Sequence, residues 1–96
     1  MFCVQLAGVL KPGSAMPIIK VHAAKRNNII REHGLQGMEM SMNENTGQAQ
    51  ILFFLETEEA ARDFLQTFQD TIDPYTPFIE PENRLNIATV TAYHSL

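Results

Sequence analysis

Residues 34–68 read GLQGMEMSMNENTGQAQILFFLETEEAARDFLQTF, and their periodicity decides the fold. Met38, Met40 and Met42 alternate with Glu39, Ser41 and Asn43, the period-2 signature of a half-buried strand. Asn43 to Gly47 is rich in turn formers and predicts a hairpin loop. A third strand then spans Gln48 to Leu55, with Ala49, Ile51, Phe53 and Leu55 on one face and Gln50, Leu52 and Phe54 on the other. Thr57 is placed to cap a helix whose first turn carries Glu58 and Glu59, favourable at the positive end of the dipole. Ala61, Phe64, Leu65, Phe68 and Ile72 follow helical spacing and form one apolar stripe.

The pattern extends outward in both directions. Phe2, Val4 and Leu6 alternate with Cys3, Gln5 and Ala7, a first strand that Pro12-Gly13 ends. Ser14 is a candidate N-cap, Pro17 falls in the first turn, and the helix should run to about His33 with Gly34 as its stop. Beyond residue 72, Pro74, Pro77 and Pro81 punctuate an irregular crossing. A last strand is expected over about Leu85–Tyr93, with the β-branched run Ile87, Thr89, Val90 and Thr91. The order βαββαβ predicts a ferredoxin-like α+β sandwich with both helices on one face of an antiparallel sheet. Cys3, Ala7, Leu52 and Phe54 would then lie on the other face, too apolar to stay wet. A second copy covering that face makes the expected assembly a homodimer. No internal repeat or linker appears, so residues 1–96 are read as one domain.

Composition narrows the partners. Apolar residues make up 45% of the 96, with six Phe and five Met, enough for a packed core. Net charge is −4, and Lys20, Lys25, Arg26 and Arg31 all fall in the first helix. That footprint is too small for a nucleic-acid binder, which must displace counterions from a polyanion. A single cysteine, Cys3, permits neither an intrachain disulfide nor a thiolate zinc site and suits a reducing cytoplasm. The apolar start lacks the charged n-region of a signal peptide and is too short to span a bilayer, so no membrane role is expected.

The first helix holds the strongest local signal. Ala15, Ile18, Ile19, Ala23, Ile29 and Ile30 define its apolar arc, and His22, Arg26 and His33 lie within that arc. Polar residues there conflict with simple core packing. His22 and Arg26, at i and i+4, are candidate catalytic groups: histidine moves a proton near neutral pH, and arginine holds an enolate or carboxylate oxygen. In the competing reading, Arg26 snorkels to water, His22 bonds a carbonyl and His33 serves the helix dipole. Leu6, Met38, Met40, Phe53 and Phe64 are candidate lining for a small hydrophobic or aromatic ligand, or else plain core. Gln5, Glu39 and Gln50 share the dimer-facing parity, where Glu39 would hydrogen-bond or act on a proton. Tyr93 and His94 close the last strand. His22 and His33 are eleven residues apart, about 16 Å along a helix, so no metal site is expected.

Lys11-Pro12-Gly13, Gly34-Leu-Gln-Gly and Leu55-Glu-Thr-Glu-Glu-Ala60 resemble the antibiotic biosynthesis monooxygenase family, in spacing and order over residues 2–70. The resemblance implies a dimeric α+β barrel with a ligand cavity between sheet and helices. It also implies chemistry ranging from cofactor-free oxygenation of aromatic polyketides and quinols, through haem degradation, to isomerisation of small metabolites. No bound cofactor is expected. Three family features are replaced: a Trp at the end of strand three by Leu55, a His in helix two by Phe64 and Leu65, and an Asn on strand one near Leu6. Those changes argue against haem degradation. Two functions remain open, a cofactor-independent monooxygenase or related enzyme, and a non-catalytic dimeric ligand-binding or interaction module.

Overall fold

The computed structural model describes residues 1–43, 45–81 and 84–89, with the backbone alone for 68–70 and 84–89. Chain order is β1 (Phe2–Val9), α1 (Ala15–His33), β2 (Gly37–Met42), β3 (Gln48–Leu55), α2 (Glu58–Ile72), the short 3-10 turn η1 (Thr76–Phe78) and β4 (Arg84–Thr89). The strands form one antiparallel sheet in the order β2-β3-β1-β4, the ferredoxin-like arrangement. The expected last strand is present to Thr89; its remainder, with Tyr93 and His94, lies outside the described residues.

Register follows the alternation. Met38, Met40 and Met42 pair with Phe53, Ile51 and Ala49, and Val4 and Leu6 pair with Phe53 and Ile51. These positions meet Ile18 and Ile29 of α1 and Ala61, Phe64 and Ile72 of α2 in one core. The Phe53 and Phe64 rings lie 4.9 Å apart at its centre.

Local chemistry sets the element ends. The Pro12-Gly13 turn closes with Ser14 N–H donating to the Lys11 carbonyl at 3.1 Å. Ser14 is the N-cap residue of α1 by position, but its side chain makes no capping bond. At the other end Gly34 adopts φ 62°, which only glycine enters without steric cost, and the N–H of buried Leu35 reaches back to Ile30. Thr57 caps α2 as its sequence position implies, its hydroxyl accepting from Ala60 N–H at 3.1 Å. In the hairpin the Asn43 side chain accepts from the N–H groups of Asn45 and Thr46. Charge is biased between the helices: α1 exposes Lys20, Lys25 and Arg31 against the one acid Glu32, whereas α2 exposes Glu58, Glu59 and Asp63 and balances one of them with the Arg62–Glu58 pair.

The reverse face of the sheet mixes apolar and polar residues, and part of it is sheltered within the single chain. Cys3 and Phe54 stand directly opposite each other across β1 and β3, and each is only 4% exposed within the single chain. Gln5 and Gln50 join by a 2.8 Å hydrogen bond, Ala7 and Leu52 are half-buried, and Glu39 and Ser41 are exposed.

Candidate functional site

The buried stripe of α1 runs through Ile18, His22, Arg26, Ile29 and His33, spaced i, i+4, i+8, i+11 and i+15. Ile19 and Ala23, expected in the apolar arc, face solvent, with Ile19 39% exposed. The helix is rotated towards its polar residues because each finds a partner on a different element. Arg26 Nε donates to the Met38 carbonyl on edge strand β2 at 2.9 Å. His22 Nδ1 lies 3.2 Å from the Tyr75 hydroxyl, and His33 Nε2 lies 2.9 Å from the Thr71 hydroxyl on α2. His33 also meets the Phe64 ring edge-on at 5.4 Å. No buried polar side-chain atom among the described residues is left without a partner.

Tyr75, His22 and Arg26 thus form one cluster at the seam between α1 and η1. The local turn delivers Tyr75 inward: its N–H bonds the Ile72 carbonyl, its own carbonyl accepts from Phe78, and the side chain is fully buried. Burial pushes the Tyr75 phenol up to about 12, opposed by the nearby Arg26 charge. Burial lowers His22 below its ordinary value, and the Arg26 charge lowers it further. The phenol therefore stays protonated and the imidazole stays neutral near pH 7. With Nδ1–H donating to the phenol oxygen, Nε2 presents a free lone pair; in the other tautomer the phenol donates and Nε2 carries the proton. His22 and Arg26 are both half-buried, so part of each side chain stays in contact with solvent.

The two candidate catalytic residues are thus brought together, and a third group joins them that the sequence reading missed. Tyr75 is separated from His22 by 53 positions; a polar-tipped aromatic between two prolines was the one signal available. The candidate lining residues behave differently. Met38 and Phe53 are fully buried, Leu6 and Phe64 almost so, and Met40 is half-buried against the same core. The space between helices and sheet around Met38, Phe53 and Phe64 is filled by these side chains. Leu6 also lines a pocket at the far end of β1. Among the described residues no group of His, Cys, Asp or Glu is arranged to hold a metal ion, and no helix is long and apolar enough to cross a membrane.

No protein-family model and no curated protein matches the sequence. Solved structures do match. A candidate antibiotic biosynthesis monooxygenase from Bordetella bronchiseptica superposes with a TM-score of 0.74, covering 95% of this chain and 98% of its own at 14% identity. This chain shares its fold. Its counterpart from Nitrosomonas europaea gives a TM-score of 0.68 over 96% of this chain and 100% of its own, at 12% identity. An uncharacterized NIPSNAP domain protein from Burkholderia xenovorans gives 0.64 over 99% of both chains, at 11% identity. At such identities the monooxygenase fold is what is shared, and residue roles have to be argued from this chain.

Proposed function

We infer that this chain is a monooxygenase-fold enzyme that abstracts a proton from a small hydrophobic or aromatic molecule at the seam between α1 and η1. The observation that supports the reading is the cluster itself: His22 bonded to a fully buried phenol, with Arg26 alongside. Linked titratable groups with displaced proton affinities, half open to solvent, are a signature of functional sites. His22 Nε2 takes the proton from an acidic O–H or C–H, Tyr75 fixes the ring through Nδ1, and Arg26 stabilises the resulting anion. Among the described residues, the Arg26 Nε is tied to the backbone and its terminal nitrogens make one side-chain contact, a long 3.5 Å approach to Asn27, so they can turn to a ligand oxygen. A stabilised carbanion or phenolate is what a cofactor-free oxygenation or an isomerisation needs first.

The assembly expected of this fold is a homodimer closed through the reverse sheet face, with Gln5, Gln50 and Leu52 at its centre. A cytoplasmic setting is consistent with the buried free thiol of Cys3. Thermal-shift screening against quinols, aromatic polyketide mimics and small keto acids should find a ligand that raises the melting point with its concentration. Exchange of a carbon-bound acidic hydrogen of that ligand for deuterium, slow in solvent alone, then reads proton abstraction directly. His22→Gln should slow exchange at least tenfold, and Arg26→Met should slow it comparably. Exchange unaltered in both variants would reject the assignment.

One observation favours the second reading, a non-catalytic ligand-binding or interaction module. The interior is filled by Met38, Phe53 and Phe64, and His22, Arg26 and His33 each join α1 to a different neighbour. On that reading the same two variants lower the melting point and leave ligand affinity untouched.

A further inference from the structure

A second constellation sits away from His22 and Arg26, where the end of β1 meets the chain after η1. Lys11 N–H donates to the Phe78 carbonyl and Glu80 N–H donates to the Val9 carbonyl, either side of the isolated Leu10–Ile79 bridge. This two-stranded clasp puts Lys11 and Glu80 at diagonal positions of the same parity. Both line a pocket of about 190 Å³ whose depth is formed by Leu6, Ile72 and Ile79, each under 9% exposed. Thr76 completes the mouth; its hydroxyl proton is committed to the Asp73 carbonyl, so the oxygen can only accept from a ligand. Among the described residues neither Lys11 nor Glu80 has an ion-pair partner.

We propose that this pocket binds a small aliphatic zwitterion, an amino acid of leucine size. The ligand carboxylate meets the Lys11 ammonium, the ligand ammonium meets Glu80 and the Thr76 oxygen, and the branched side chain rests on Leu6, Ile72 and Ile79. Size favours a small ligand: about 190 Å³ is below the 300–1,000 Å³ of pockets that enclose drug-sized molecules. Charge selects as well. A simple carboxylic acid would leave Glu80 facing it, and a simple amine would leave Lys11 facing it, each an unfavourable like-charge approach. Apolar depth beneath two opposite charges is complementary to an amphipathic zwitterion. The proposal is independent of the proton-transfer reading, because neither His22 nor Arg26 lines this pocket.

The test is a titration of the full chain, followed by backbone amide NMR, with leucine, 4-methylpentanoic acid, 3-methylbutylamine and glycine. Leucine should saturate the protein and shift the amides of Lys11, Thr76, Ile79 and Glu80. The three analogues should bind at least tenfold more weakly. Lys11→Met and Glu80→Gln alter groups at the mouth rather than in the core, and each should weaken leucine at least tenfold while the melting point holds. His22→Gln should leave leucine affinity unchanged. Binding of the acid or the amine as tight as leucine, shifts confined to other residues, or no saturation by leucine would each overturn the proposal.

Discussion

At the scale of single residues, His22 and Tyr75 carry opposite lessons about burial. Burial and Arg26 depress the imidazole below its ordinary value near 6.5. The unfolded chain therefore takes up a proton at this site more readily than the folded one. Stability that His22 supports is intact above that ordinary value and is lost as pH falls through it towards the depressed folded value. His22→Gln should flatten the acid side of the stability profile, measured as urea midpoints between about pH 7.5 and about pH 5. An equally steep profile in the variant would assign the acid sensitivity elsewhere. Tyr75, pushed up to about 12, should ionise last in an alkaline ultraviolet titration. Tyr75→Phe should delete that late phase and cost about 1 kcal/mol for the hydrogen bond. None of this was legible locally. The sequence marked His22, Arg26 and His33 as misplaced on an apolar arc, but their partners Tyr75, Met38 and Thr71 lie 53, 12 and 38 positions away.

The elements themselves were far more legible, because their signals are short-range. Strict alternation gave β3 its limits, Gln48–Leu55, and placed the methionines opposite Phe53, Ile51 and Ala49. Thr57 announced the start of α2 through a bond three residues long. Thr57→Ala should therefore cost about 1 kcal/mol, read by chemical denaturation, with the rest of the fold unchanged. Where the chain folds back over distance, the local reading stopped short. Pro12-Gly13 marks the end of the first strand in the sequence, yet residues 9–11 go on to pair with 78–80. The buried arc of α1 is narrower on one side than its apolar periodicity implies, because three hydrogen bonds turn the helix away from Ile19 and Ala23.

At the scale of the whole molecule, the centre is tight packing between sheet and helices. Phe53 is fully buried and its ring meets Phe64, so Phe53→Ala should cost ~3–5 kcal/mol through lost burial and the void left behind. A much smaller loss in a denaturant titration would mean that the interior can close around the gap. The reverse face makes a milder demand, because Cys3 and Phe54 are already sheltered and Gln5 already bonds Gln50. A dimer through that face should be polar enough to dissociate at low concentration. Sedimentation across a dilution series should register a shift towards monomer, and Leu52→Glu should move the shift to higher concentration.

The bias of charge between the helices bears on how this molecule meets anything larger than itself. A body with an excess of four negative charges is expected to avoid anionic surfaces, yet Lys20, Lys25 and Arg31 all stand exposed on one helix, against a single exposed acid there, Glu32. Within a Debye length of about 10 Å at 0.1 M salt, a surface responds to the side turned towards it rather than to the total. Weak retention on a cation-exchange resin at low ionic strength, released by modest salt, would be the laboratory trace of a small protein that travels as an acid and lands as a base.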